Sequence, residues 1–458
     1  MPSDRGGDVV ALWSAINRRR SWMVDALRTR LWPVPVLGIA AAVLAGVVLP
    51  ALDETVDGGV PDVISGFLFG GGPGAARDVL SAIAGSVMTV TSLTFSLTLV
   101  TLQLASGQFS PRLLRTFVRD RFVQRTLALF VATFAYALTV LRTVRDDSGV
   151  RAEFVPQISV TVAYLLAITS VIGLVLFLAH LVRQIRVETM LGAVLVDAVT
   201  TAESVFAEVD DTARNGELPT PPAAAVAVTA RRTGFLTGVD EPPLVAAAAR
   251  FDAVVALCRK PGEWIVAGTP VALVWSASGD RPADDALDEL SDCLAEAMAI
   301  GDERTPVQDI GYAVRQLTDV AVKALSPGIN DPTTAVHAIG HVSALLCRLA
   351  ERRLGCTLYC DDDGHVRTVV PGPEFAELLD IATAQPRRYG ASDAEVLSAL
   401  LRLLRDLAWC AGPVHAASIG GQLSRLVATV DRQEFDDPER SGLSGLADAV
   451  QGALEGRW

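Results

Sequence analysis

The chain has 458 residues, too many for one ordinary domain, is 50% apolar with only 6% aromatic residues, and has a mean hydropathy of +0.38. Its net charge of −13 is unevenly placed: residues 1–190 carry about +4 and residues 191–458 about −17. So acidic a second half argues against nucleic acid as a partner, because phosphate backbones are bound by Lys and Arg surfaces, and so apolar a first half excludes an entirely soluble protein.

Residues 1–31 predict an amphipathic interfacial helix, with Leu12, Ile16, Met23, Leu27 and Leu31 near one face and Trp13, Trp22 and Trp32 suited to the membrane–water boundary. Residues 32–186 follow as a four-helix transmembrane domain, with spans at Val34–Leu52, Val79–Ala105, Phe122–Leu141 and Ile158–Leu181. The segment up to Leu31 has six arginines against three acids, and Ser106–Arg125 has five arginines against one acid. The Leu52–Asp78 loop has five acids and one arginine. Basic loops stay in the cytoplasm, so both termini are expected inside.

The second span is the stretch around which the sequence suggests the rest is built. It is uncharged over 27 residues, roughly 40 Å of helix, and rich in hydroxyls. Thr91, Thr94, Thr98 and Thr101 share one face; Ser92, Ser96 and Gln103 form a second polar strip nearly opposite. Hydroxyls in membrane helices often bond the carbonyl four residues back. The functional alternative is that the threonine face lines an ion path between copies of the chain, with Arg112 and Arg115 at its inner mouth concentrating anions. The absence of a mid-span Asp, Glu, Lys or Arg disfavours a pump.

After Arg186 the pattern predicts an α+β domain: a helical connector and linker over 187–225, a small β-barrel-like unit over 226–278, and a helical bundle over 279–458 with a hairpin near 357–370. The connector helix is read as Val187–Thr212, and the stretch DRQEFDDPERSG as mobile. Within the β unit, PGEWIVAGTPV looks like half of a biotinyl-carrier hybrid barrel, but Lys260 lacks the flanking Met of a modified lysine, and a structural role is the better reading. In the bundle, Asp309, Tyr312, Gln316, Asp319 and Lys323 share a helix face. Pro327-Gly328 suggests a type II turn with Gly328 at positive φ, Asp331 an N-cap and Pro332 the first helical residue. The polar residues Gln308, Asp309, Arg315, Gln316, Asp319, Ser326, Asn330 and Asp331 are candidates for a ligand or subunit-contact site at this corner.

The words TSLTFSLTLVTLQLASGQFSPRLL, TGFLTGVD, PGEWIVAGTPVALV and RQLTDVAVKALSPGINDPTTAVHAIGHVSALLCRL resemble a bacterial family of predicted membrane proteins, domain-of-unknown-function family 2254. The resemblance implies four spans and a cytoplasmic domain, and brings no catalytic residue with it. His337 and His341 stand at metal-ligand spacing but in HAIGH, without the glutamate of a zincin. The six cysteines form no CxxC pair, and no phosphate loop or nucleophile elbow is present. The sequence therefore points away from an enzyme and calls for no cofactor and no metal. Its expected partners are the lipid bilayer, further copies of itself, and a small ion or ligand. Two functions stand open: a channel-like protein lined by the second span, and a membrane-anchored sensor with its site at the SPGIND corner.

Overall fold

The computed structural model describes residues 32–56, 68–108, 120–145, 154–184, 186–206 and 218–457. The expected N-terminal amphipathic helix lies outside them, as do Arg112 and Arg115. The chain divides into two compact units, with the boundary between Arg186 and Val187.

The first unit contains α1 (Pro33–Val56), α2 (Pro73–Gln108), α3 (Arg121–Leu141) and α4 (Gln157–Gln184). All four are long and apolar enough to cross a membrane. The hub is α3, which packs on α1, α2 and α4; the centre is therefore the third helix and not the second. Of the four, α3 is the least apolar and the most buried. A helix surrounded by other helices has little need of a lipid-compatible surface. Its seam with α1 is built from small residues: Gly38, Ala42 and Gly46 recur every four positions, and a Cβ on Gly46 would lie 2.8 Å from Thr139 Cβ. Such seams let helix backbones approach closely, which substitutes for the hydrophobic drive that lipid does not supply.

The second unit opens with α5 (Val187–Val205), packed on α8 (Ile310–Ala324) and α9 (Pro332–Ala350); residues 207–212 of the expected connector helix lie outside the described residues. Among the described residues eight strands follow in two sheets, and these strands do not close into a barrel. The strands are β1 (Val226–Thr229), β2 (Gly234–Val239), β3 (Ala253–Leu257), β4 (Trp264–Ile265), β5 (Pro270–Ser276), β6 (Met298–Gly301), β7 (Thr357–Cys360) and β8 (Val366–Val370). One sheet has the order β1-β5-β3-β8-β7 and the other β4-β2-β6. The hairpin expected near 357–370 is β7–β8, but it belongs to the larger sheet, where β8 runs parallel to β3 with Val255 opposite Thr368. The β unit therefore does not end at residue 278. Helices α6 (Glu241–Arg250) and α7 (Asp284–Ala297) pack on each other and bury Leu244, Leu290 and Leu294 with Leu236, Val255 and Val274 of the sheets.

The remaining helices are α10 (Phe375–Tyr389), α11 (Ala394–Cys410), α12 (Ala416–Val430) and α13 (Asp437–Leu454). The stretch read as mobile runs into the start of α13. Asp436 accepts from Glu439 N at 2.8 Å while Glu439 reaches back to Asp436 N, a reciprocal capping box, with Pro438 in the first turn.

Candidate functional site

The threonine face of α2 is turned into the four-helix unit. Thr94 and Thr101 are buried, Thr91 and Thr98 half-buried, and Ser92, Ser96 and Gln103 on the other strip are exposed. Thr91, Thr98 and Thr101 donate to the carbonyls of Val87, Thr94 and Leu97 at 2.7–2.9 Å, so each hydroxyl is satisfied within its own helix. Thr94 Oγ1 is the exception: it is buried and has no hydrogen-bond partner. Beside this face Ser86 and Ser170 line a cavity of about 220 Å³ between α2 and α4, together with Val87, Val90, Ala167 and Val171. Ser170 also bonds Thr133 of α3 at 3.1 Å.

The polar groups at the ends of the bundle join one helix to another. Asp53, buried near the end of α1, accepts from Ile158 N, Ser159 N and Ser159 Oγ at 3.0, 3.0 and 2.7 Å. A carboxylate there satisfies orphan donors at the start of α4 and meets the positive end of its dipole. Spacing does not reveal this contact, because its partners lie more than 100 residues apart. At the opposite end Asp120 caps α3 through Phe122 N at 2.8 Å, and its other oxygen meets His180 Nε2 of α4 at 2.5 Å.

The polar residues of the α8–α9 region do not converge. Gln308 pairs with Val239 of β2 as a neighbouring strand would, its Oε1 accepting from the backbone N at 2.8 Å and its Nε2 donating to the carbonyl at 3.0 Å. Asp309 is the buried N-cap of α8; it accepts from Tyr312 N and takes Arg304 in a two-pronged pair at 2.8 and 2.9 Å. Burial pushes its carboxyl above the usual range, and Arg304 opposes that shift. Gly262 of the Pro-Gly turn covers this carboxylate: its φ is +93°, and a Cβ there would fall 2.1 Å from Asp309 Oδ2. Lys260 in the same turn ion-pairs with Glu377 of α10 at 2.6 Å. Arg315 reaches Gln385 of α10 at 3.3 Å, Gln316 is buried on α8, and Asp319 is half-buried.

Ser326 and Asp331 stand at the far end of α8, and a 15-residue helix is about 22 Å long. Ser326 Oγ donates to Lys323 O at 2.7 Å. Asp331 caps α9 as its position suggests, accepting from Thr334 N at 3.1 Å and Thr334 Oγ1 at 2.6 Å. The turn is not type II. Gly328 does not adopt positive φ; Asn330 does, at +50°, and its N–H closes on Ser326 O at 2.9 Å. Asn tolerates the left-handed region better than other residues with a Cβ, so the chain turns one residue before the cap. His341 Nδ1 is bonded to the His337 carbonyl at 2.9 Å. Elsewhere in this unit, α11 and α13 flank a cleft of about 1060 Å³ lined by Arg405, Trp409, Cys410, Asp448 and Arg457. That volume is at the upper end of ligand-binding pockets.

A family model described as "Predicted membrane protein (DUF2254)" matches residues 28–406. Uncharacterized protein Rv1290c of Mycobacterium tuberculosis is 36% identical over 455 residues, covering 97% of this chain and 85% of the relative. Uncharacterized protein Mb1321c of Mycobacterium bovis matches to the same extent. No solved structure matches the chain.

Proposed function

The chain belongs to the DUF2254 family of predicted membrane proteins, and on that premise we propose that it is a membrane-anchored binding module. In this reading the four helices anchor the protein, and the unit from Val187 onward engages the ligand. The observation that carries the proposal is the burial of Thr94 and Thr101 inside a single subunit, with three of the four threonine hydroxyls bonded within α2. A face used in that way does not line a path between copies. The α11–α13 cleft gives the second unit a concavity of ligand size. The test is flux in liposomes holding the purified full chain. Halide and alkali-cation flux should equal that of protein-free liposomes, and Thr98→Leu should leave it there. Flux that depends on the protein would reject the proposal.

A second reading rests on the exposed strip Ser92, Ser96 and Gln103. Polar side chains on the outside of a membrane helix favour association, and copies meeting through this strip would put it at an oligomer axis. Disulfide trapping of a Ser96→Cys variant between copies, together with flux lost in Ser96→Leu, would favour this channel-like alternative.

A further inference from the structure

The second half of the chain is strongly acidic, yet it gathers four arginines along the α10–α12 pair. Arg387 and Arg388 lie in the last turn of α10, Arg425 on α12 and Arg432 just beyond its end. Arg387 Nη1 and Arg432 Nη2 both donate to Thr429 Oγ1, at 3.1 and 3.4 Å. That hydroxyl belongs to a buried residue and donates its own proton to the Arg425 carbonyl at 2.8 Å. Two guanidiniums therefore converge on one neutral oxygen, and neither has a carboxylate within ion-pairing distance among the described residues. Arg387 Nε is buried and unbonded. Asp380, which offsets part of the charge, is already engaged by Arg425 Nη1 at 2.7 Å and Gln422 Nε2 at 3.1 Å. Burial holds the Arg387 guanidinium below its usual range, and the charges of Arg425, Arg432 and Arg388 add to the effect.

Keeping like charges together in a partly desolvated place is costly, and an acidic unit had many carboxylates with which to relieve it. Unused donors on paired guanidinium forks match the oxygens of a tetrahedral oxyanion. A phosphoryl group with up to two negative charges balances this cluster better than a carboxylate with one. We propose that Arg387 and Arg432, converged on Thr429 and flanked by Arg388 and Arg425, form a binding site for a phosphoryl group, free or carried on a lipid headgroup. This site is separate from the α11–α13 cleft and goes beyond the anchored-module reading; it rests on that reading for its role and not for its existence.

The experiment is thermal unfolding of the full chain in phosphatidylcholine nanodiscs, with inorganic phosphate or chloride at equal ionic strength, and in nanodiscs doped with phosphatidic acid. Phosphate should raise the melting temperature where chloride does not; a rise with phosphatidic acid alone identifies the lipid as the source. Arg432→Gln, an exposed substitution, should weaken the response about tenfold, in line with the loss of a charge-assisted hydrogen bond. The same variant should melt higher than the wild type without phosphate, because it relieves repulsion; a merely structural arginine would do the opposite. Arg387→Gln should repeat the loss of response. The site is overturned if neither phosphate nor phosphatidic acid exceeds chloride, or if Arg432→Gln responds as the wild type does. Protein-dependent ion flux would overturn the anchored-module reading while leaving a phosphate response intact.

Discussion

Asn330 holds the turn between α8 and α9 at φ +50°, a conformation that costs a β-branched residue roughly 1–2 kcal/mol and glycine almost nothing. Asn330→Val should therefore lower stability by about that amount, and Asn330→Gly should come close to the wild type. Gly328→Ala should be neutral or slightly stabilising, because Gly328 lacks positive φ and an added Cβ meets nothing within 4 Å. Asp331, one position on, is worth about 1 kcal/mol as an N-cap. Its carboxyl lies below the usual value of 3.8 because the Thr334 hydroxyl donates to it, with the Thr334 amide adding to the effect. A depressed acid contributes stability that is complete above its unfolded pKa and is lost as pH falls through the folded one. The difference between wild type and Asp331→Ala should thus be full at neutral pH and shrink below about pH 3.8. Thermal unfolding of the full chain across that range measures all four variants.

At the scale of elements, the α1–α3 seam leaves no room for a Cβ at Gly46. Gly46→Ala places a Cβ 2.8 Å from Thr139 Cβ and should destabilise the bundle by about 1–3 kcal/mol. Gly85→Ala, on an exposed face of α2 with nothing within 4 Å, should be neutral or mildly stabilising. Equal melting temperatures for the two variants in one detergent would refute this account of the seam. The spans themselves are legible in the sequence because hydropathy is local, and so is the Asp331-Pro332 start of α9, since a cap and its helix are adjacent. Hydropathy does not say which neighbour a helix meets, and so the sequence reveals the threonine face of α2 but not the direction it points. The parallel pairing of β3 with β8 joins segments more than 100 residues apart, and no local pattern carries it. Arg387, in the last turn of α10, and Arg432, just beyond the end of α12, meet for the same long-range reason, each ordinary in its own stretch of sequence.

At the scale of the whole molecule, the arginine asymmetry and the cysteine positions together give an orientation test. All six cysteines lie between 258 and 410, and Cys258, Cys356, Cys360 and Cys410 are exposed. The basic segments before α1 and before α3 predict a cytoplasmic place for everything after Arg186. In right-side-out vesicles, an impermeant maleimide should leave these thiols untouched until the membrane is opened. Burial raises the Cys258 and Cys356 thiols above their ordinary value, so the reaction belongs at mildly alkaline pH, where thiolate is populated. A Gly74→Cys variant serves as the outward control: it sits at the start of α2, where an added side chain meets nothing within 4 Å, and it should label in sealed vesicles. Labelling of Cys356 or Cys360 in those vesicles would put the second unit outside. It would also separate Arg387 and Arg432 from the cytoplasmic phosphate pool, leaving the outer leaflet as the source of their phosphoryl group.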